Sequence, residues 1–442
     1  MKIKVSIIIP DNNFKSIDTK SFPPLGGLYI TSFLKEKGVD TYFYDFTVLN
    51  RWKKKFHEII DCNPKVIGLS STVSNFASTH SLAKSIKAHN KDIKIIVGGP
   101  YPTCVPEKYL INKAIDAVCI GEGEHTFYKY LNEGDKADGL MVRKNGQFIY
   151  TKPRPSIENL DDLPFPDLTQ IDLNKYHYYF KKGKPLSSII TSRGCPHNCT
   201  YCFHEVHGHK WRARSPKNVI DEIKWQVKEL GVGELGFWDD NLTLDQKRAE
   251  KIFDLITLEK IGIPLSTPNA IRVDSVNKKL LLKMKKAGFW VIVLAPETGD
   301  PYIIKKIQKG FTLEQTERVA KWCKELNLFL VLYIMMGFPF ETKENVKNSL
   351  DFIKKIKPDA FNINRFYPLP KTPIVNEYNL KTDEGYNYRN VRMTKEFEKL
   401  LNSAFIHYYS DPSNIWNLIK KVGIYRFFYS ILRLLNDLIT SH

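Results

Sequence analysis

The sequence predicts an α/β protein in two parts: a doubly wound, Rossmann-like parallel-sheet domain, then a second domain of repeated β/α units ending in a helical tail. Three observations predict it. Short apolar strands alternate with helical stretches over the first 135 residues, the alternation resumes from about residue 186 to 375, and a proline-rich stretch separates the two runs. The chain has 442 residues, too many for one ordinary domain and enough for two well-packed ones.

Taken in order, Lys4–Ile9 reads as a first buried strand and Leu25–Lys37 as a helix stopped by Gly38. A second strand, Val39–Tyr44, precedes an amphipathic stretch at Trp52–Ile60. The strand Val66–Ser70, a helix around Ser78–His89 and the strands Ile93–Val97 and Ala117–Ile120 complete a domain at 1–150. Strands joined by helices imply parallel order, with a ligand crevice at their carboxyl ends. Ser70-Ser71-Thr72, Gly98-Gly99-Pro100 and Gly121-Glu122-Gly123-Glu124 stand there, and Pro23-Pro24-Leu25-Gly26-Gly27-Leu28 opens the first helix. Glycines let a large ligand approach the backbone and hydroxyls offer it hydrogen bonds. Taken alone, these are ordinary loops of an α/β sheet.

Lys152-Pro153-Arg154-Pro155 and the prolines of Leu160–Asp167 mark 151–185 as a linker. Strands are expected next at Ser187–Ser192, Glu234–Trp238, Leu265–Asn269, Trp290–Leu294, Leu328–Met335 and Ala360–Arg365, within a domain at 186–375. The region 376–442 is rich in tyrosine and long apolar residues, with Lys420, Lys421, Arg426 and Arg433 set at helical spacing among them. It reads either as a helical pair packed on the mouth of the second domain or as an interfacial helix meeting a membrane or lipid-like substrate.

Sixty-six Lys and Arg against 48 Asp and Glu give a net charge of +18, which favours anionic partners. The basic residues are scattered, with no Lys/Arg-rich run, so no nucleic-acid partner is expected. Four of the seven cysteines (Cys62, Cys104, Cys119, Cys323) are far apart, which argues against a disulfide framework and for a cytoplasmic setting. The start, Met1-Lys-Ile-Lys-Val, lacks the pattern of a signal peptide, and no stretch has the apolar length of a membrane span.

The other three cysteines stand in Cys195-Pro196-His197-Asn198-Cys199-Thr200-Tyr201-Cys202, a C-x3-C-x2-C spacing with an aromatic residue before the last cysteine. Closed zinc sites use four protein ligands, usually as paired C-x2-4-C units. Three thiolates without a fourth suit a [4Fe–4S] cluster with one iron left open. A zinc site completed by His197, His204, His207 or His209 is the alternative, although the spacing is wrong for a ribbon or finger.

The C-x3-C-x-(aromatic)-C pattern after a strand and an Arg193-Gly194 turn resembles the radical S-adenosylmethionine superfamily. The glycine- and hydroxyl-bearing first domain resembles the cobalamin-binding domain that precedes many of its members. The resemblance implies a partial (β/α)6 barrel of the TIM type for the second domain, with Cys195, Cys199 and Cys202 holding the cluster. It implies S-adenosylmethionine contacts from Tyr201, from Asp239 and Asp240 in Phe237-Trp238-Asp239-Asp240-Asn241, and from Arg272 in Asn269-Ala270-Ile271-Arg272-Val273-Asp274. Glu297 in Leu294-Ala295-Pro296-Glu297-Thr298-Gly299 and Gly337 in Met336-Gly337-Phe338-Pro339-Phe340-Glu341-Thr342 complete that set. Arg272 suits the cofactor carboxylate and Glu297 a ribose. Each of these also has a plain reading as a helix cap or surface ion pair.

For cobalamin the implied contacts are Leu25, Gly26, Ser70, Ser71, Thr72, Gly98, Gly99, Gly121 and Glu122. The usual Asp-x-His-x-x-Gly is absent; Pro10-Asp11-Asn12-Asn13-Phe14 stands in its place, implying cobalt without a histidine below it.

The expected activity is methylation of an unactivated carbon or phosphorus centre in a specialised metabolite or lipid through a 5′-deoxyadenosyl radical. A low-potential donor such as flavodoxin or ferredoxin would supply the electron. A radical cyclase or carbon–carbon bond former of the same architecture, and a non-catalytic iron–sulfur or cobalamin sensor, are the alternatives. Tyr101, His204, His207 and Tyr367 are polar groups near the expected cavity with no assigned role, and peripheral membrane contact through the tail stays open.

Overall fold

A computed structural model describes residues 3–11, 22–49, 52–178, 181–382 and 395–428. They divide into two units. One holds the residues through His177 together with Phe203–Ala213; the other holds Tyr178–Cys202, Arg214–Thr382 and the C-terminal helices.

The first unit is built on β1 (Lys4–Ile9), β2 (Asp40–Asp45), β3 (Val66–Ser70), β4 (Lys94–Gly98) and β5 (Ala117–Cys119), all parallel, followed by the antiparallel β6 (Leu140–Lys144) and β7 (Gln147–Tyr150). The sheet order is β2-β1-β3-β4-β5-β6-β7. The chain turns outward in opposite directions from β1, so the crevice at its carboxyl end lies at a topological switch point. The β6–β7 hairpin goes beyond the strands expected from sequence. Asn145 and Gly146 both adopt positive φ, 52° and 80°, as a two-residue hairpin turn requires.

Helices α1 (Leu25–Glu36), α2 (Trp52–Asp61), α3 (Phe76–His89), α4 (Pro100–Cys104), α5 (Pro106–Leu110) and α6 (Glu124–Glu133) connect these strands. Helix α1 buries Leu25, Leu28, Phe33 and Leu34. Its close approach needs Gly27, where a Cβ would stand 2.6 Å from the Phe43 ring. The proline-rich stretch is part of this unit. It packs Ile157, Leu160 and Leu163 against Phe33, and the buried Tyr176 hydroxyl donates to Asp45 at 2.8 Å.

The second unit carries β8 (Leu186–Ile189), β9 (Glu234–Phe237), β10 (Leu265–Ser266), β11 (Phe289–Glu297), β12 (Phe329–Met336) and β13 (Ala360–Arg365). All are parallel and lie side by side in chain order, the arrangement of a partial (β/α)6 barrel. Strand β10 is shorter than expected because Pro268 has no N–H for the ladder and Thr267 bonds the Val293 N–H through its hydroxyl, at 3.0 Å. The core joins β9 to β12 with α7 (Pro216–Leu230), α8 (Gln246–Leu258), α9 (Lys278–Ala287), α10 (Pro301–Lys306), α11 (Leu313–Glu325) and α12 (Lys343–Ile356). Ser215 and Asp245 cap α7 and α8, and capping boxes at Thr312 and Thr342 start α11 and α12. A short α13 (Pro373–Glu377) follows β13.

The tail corrects one expectation. Helices α14 (Lys395–Ser410) and α15 (Pro412–Val422) form a pair, but the pair does not sit on the barrel mouth. Tyr408 donates to Pro358 O, and Lys421 bonds Asp359 and Leu328 O at 2.7 and 2.9 Å. Those partners precede β13 and β12, so the pair closes the amino end of the sheet. Its apolar face found Trp290, Phe329 and Val331 through Leu418 and Val422. Arg433 lies outside the described residues, and among those described no helix is long and apolar enough to cross a membrane.

Candidate functional site

Within the second unit, the cysteine loop leaves the carboxyl end of β8. Its base is fixed by Asp240, whose Oδ2 accepts the Gly194 N–H at 3.0 Å. Its middle is fixed at Thr200, whose N–H donates to Ile307 O and whose carbonyl accepts from the Ile374 N–H. Cys199 is buried and Cys195 and Cys202 are half-buried. Burial pushes the Cys202 thiol up to about 12, reinforced by Cys199 and Cys195, and raises Cys195 as well. His207 contacts Glu122 in the first unit and the His204 and His209 rings lie against one another at 4.4 Å, tilted by 31°, so these rings are engaged there.

Asp239, just past β9, is buried. Its Oδ1 accepts from the Thr191 N–H (3.1 Å), the Thr191 hydroxyl (2.6 Å) and the Ser192 hydroxyl (2.6 Å), while Oδ2 is buried without a partner. Burial raises this carboxyl, offset in part by those donors. A buried oxygen left open at a strand's carboxyl end fits the ammonium of a bound amino acid.

Arg272 forks onto Asp274 at 3.0 and 2.7 Å, bonds Lys309 O at 2.7 Å and reaches within 4.0 Å of Cys199 Sγ. Glu297, at the end of β11, sits at φ 69°, the left-handed region that non-glycine residues seldom occupy. It accepts from the Tyr201 hydroxyl at 2.9 Å and pairs with Lys309 at 2.9 Å, and Lys309 also donates to the Tyr201 oxygen at 2.9 Å. Burial, with Glu297 alongside, holds the Tyr201 phenol well above its ordinary value. Gly337 at φ 95° lets its N–H reach the Glu341 carboxylate, which burial pushes up to about 7. Phe338, Phe366, Ile303 and Ile374 close the Tyr201 side of the loop with apolar surface.

The structure thus brings together Tyr201, Arg272 and Glu297, and adds Lys309 as their hub. Sequence reasoning missed it: a lysine before a glycine carries no signal in a lysine-rich chain. Thr191 and Ser192 were missed for the same reason, being generic residues until folded.

In the first unit the expected ligand residues line the carboxyl ends of β3, β4 and β5. Gly99, at φ 114°, stands where a Cβ would meet Ser71 O at 2.5 Å, so only glycine fits that turn. Thr72 is exposed with its hydroxyl on Ser74. Ser70 and Gly98 are half-buried at the ends of their strands, Leu25 is buried, and Gly26 has open space above its Cα. Two expected contacts are differently employed. The Ser71 hydroxyl is buried among Asn75, Thr79 and Tyr109 at 2.7–2.9 Å, and the Glu122 carboxylate is taken by protein donors. Asn12, Asn13 and Phe14 lie outside the described residues.

A three-cysteine loop at the carboxyl end of a parallel half-barrel, beside an open carboxylate oxygen and an arginine, defines a radical enzyme that handles S-adenosylmethionine at a cluster. Residues 189–353 match the Radical SAM superfamily and residues 19–131 the B12 binding domain. An uncharacterized methyltransferase of Pyrococcus horikoshii is 30% identical across 93% of this chain and 94% of its own length. The anaerobic magnesium-protoporphyrin IX monomethyl ester cyclase of Synechocystis is 28% identical across 77% of this chain and 68% of its own. The radical S-adenosylmethionine methyltransferase TsrM of Kitasatospora setae shares the fold, with a TM-score of 0.70 over 85% of this chain and 74% of that one at 18% identity. The chain belongs to the cobalamin-binding branch of the radical S-adenosylmethionine enzymes, and its cofactors are a [4Fe–4S] cluster, S-adenosylmethionine and cobalamin.

Proposed function

We propose that this enzyme methylates an unactivated carbon, or a phosphorus centre, of a small metabolite or lipid. The observation that carries the proposal is the pairing in one chain of the cysteine loop with a strand-end crevice shaped by Gly99 for a large ligand. When bound, the cluster supplies the electron that opens the sulfonium of S-adenosylmethionine, and cobalamin supplies the methyl group.

In this reading Cys195, Cys199 and Cys202 hold the cluster. Asp239 Oδ2 takes the methionine ammonium, Arg272 its carboxylate, and Glu297, Tyr201 and Gly337 the nucleoside side. Asp240 braces the loop through Gly194. Leu25, Gly26, Ser70, Thr72, Gly98, Gly99 and Gly121 approach cobalamin. The apolar wall of Phe338 and Phe366 keeps water from a reactive radical. A flavodoxin or ferredoxin provides the low-potential electron.

The cyclase relative favours a second reading, ring closure by the same machinery. Anaerobic turnover of candidate substrates with methyl-labelled S-adenosylmethionine separates them. Methylation yields deoxyadenosine and a labelled product; cyclisation yields deoxyadenosine and an unlabelled product lighter by two hydrogens. No deoxyadenosine with any substrate points to a sensor.

A further inference from the structure

Glu297 is aimed by a distortion of its own strand. From Leu294 to Glu297, β11 takes three steps where its neighbour β12 takes two, from Leu332 to Ile334, so one residue bulges out of the ladder. Beyond the bulge Glu297 stands at φ 69°, a conformation that a residue with a Cβ keeps only where its surroundings over-determine it. In front, Tyr201 and Lys309 hold the carboxylate, each at 2.9 Å. Behind it, the backbone is held by α12.

The contact is made by Ser349, a buried serine in the middle of that helix. Its hydroxyl donates to Asn345 O, one turn back, at 3.1 Å. A hydroxyl has one proton to give and two lone pairs, so this back-bond leaves both lone pairs for the turn behind Glu297. Ser349 Oγ accepts from the Gly299 N–H at 3.0 Å and from the Thr298 hydroxyl at 3.1 Å. The Thr298 oxygen in turn accepts the Asp300 N–H at 3.1 Å. Thr298 is as buried as Ser349, so each of these bonds is made away from water, where leaving it unmade is costly. The two segments are also as close as backbones allow: a Cβ on Gly299 would stand 2.8 Å from Ser349 Cα and collide with Phe352. One step on, Asp300 Oδ2 accepts from Asn345 at 2.9 Å and Asn348 at 2.7 Å, while Oδ1 caps α10 through the Tyr302 and Ile303 N–H groups.

We propose that Ser349 is a positioning residue for Glu297: through Thr298 and Gly299 it fixes the backbone that keeps Glu297 left-handed, and so keeps the carboxylate at the nucleoside side of S-adenosylmethionine. The proposal rests on the assignment of Glu297 to that cofactor. Asn345 and Asn348 serve the same turn through Asp300.

The test is a double-mutant cycle in the full-length, cluster-loaded enzyme: wild type, Ser349→Ala, Glu297→Gln and the pair. The Kd for S-adenosylmethionine is measured by equilibrium titration with the cluster oxidised, so that no turnover occurs. L-Methionine, followed by its shift of the reduced-cluster EPR signal, is the probe that lacks a nucleoside. Expected is a Kd weaker by about fivefold or more in Ser349→Ala, and at most about twofold further loss when that change is added to Glu297→Gln. The methionine shift should stay as in wild type. Thr298→Val cuts the same link from the other side and should repeat the pattern, whereas Thr298→Ser keeps the hydroxyl and should restore wild-type affinity. These two variants decide the question if Ser349→Ala does not fold. An unchanged Kd, an equal loss in both backgrounds, or a lost methionine response would make Ser349 a packing residue and overturn the proposal. An unchanged Kd in Glu297→Gln alone would instead remove the assignment of Glu297, and the proposal with it.

Discussion

The two ends of β9 carry two buried carboxylates that do opposite things. At the amino end, Glu234 has both oxygens occupied: Oε2 accepts the Lys182 and Gly183 N–H groups, and Oε1 the indole N–H of Trp290 at 3.1 Å. At the carboxyl end, Asp239 accepts three donors on one oxygen and leaves the other empty. Burial raises both carboxyls, so desolvation alone does not distinguish them. Satisfaction does. A fully bonded buried group holds the fold, whereas a half-bonded one at the functional end of a parallel barrel is held ready for a ligand.

That contrast is sharpened most by removing the cluster. Cys199→Ala should lower the iron content from about four per chain to near zero and abolish deoxyadenosine formation, while secondary structure by circular dichroism stays intact. Retained iron and activity would contradict the assignment of this end of the barrel. Next in size is Lys309→Met, which strands the buried Glu297 carboxylate without its cation. A loss of about 3–5 kcal/mol in denaturant unfolding is expected, with S-adenosylmethionine binding weakened at the same time. An unchanged midpoint would mean that Glu297 finds water or another partner.

The direct comparison comes third. Asp239→Asn should cost about 1.5–3 kcal/mol in S-adenosylmethionine affinity by equilibrium titration and little in stability. Glu234→Gln should do the reverse, losing about 1–3 kcal/mol of stability with affinity intact. If both variants moved the same observable, the distinction between the two ends would fall.

The smallest effect concerns Glu341, raised to about 7 from an ordinary 4.5. Between those pH values the folded protein keeps a proton that the unfolded chain has released. Stability from this group is therefore full below about 4.5, declines as pH rises, and is lost above about 7. Glu341→Gln should flatten that part of the stability–pH curve by about 1–2 kcal/mol in parallel unfolding titrations, allowing for partial exposure. An unaltered slope would assign it to other groups.

Much of this was legible from residues in a row. Strand β1 at Lys4–Ile9 and β3 at Val66–Ser70 fall where the apolar runs put them, because strands buried on both faces must be continuous in apolar side chains. The Cys195, Cys199 and Cys202 spacing pointed to a cluster for a similar reason: the three cysteines lie within one loop, so sequence distance reports spatial distance. Local rules were weaker where another strand had a say, as at β10, cut short by Pro268 and Thr267.

The sequence by itself determined the β/α order, the cysteine loop and the strand-end positions of Asp239, Arg272 and Glu297, since each depends on periodicity or on neighbours a few residues apart. Only the tertiary structure decided which charges meet. Lys309 reaches Tyr201 across 108 positions and Arg212 reaches Glu122 across 90. Many lysines and arginines are chemically equivalent until the fold removes water from a few of them, and it is desolvation that turns an ordinary charge into a committed partner. The same holds for Ser71, an expected ligand contact whose hydroxyl was claimed by Tyr109, and for the tail, whose apolar face was evident in sequence while the surface that covered it was not.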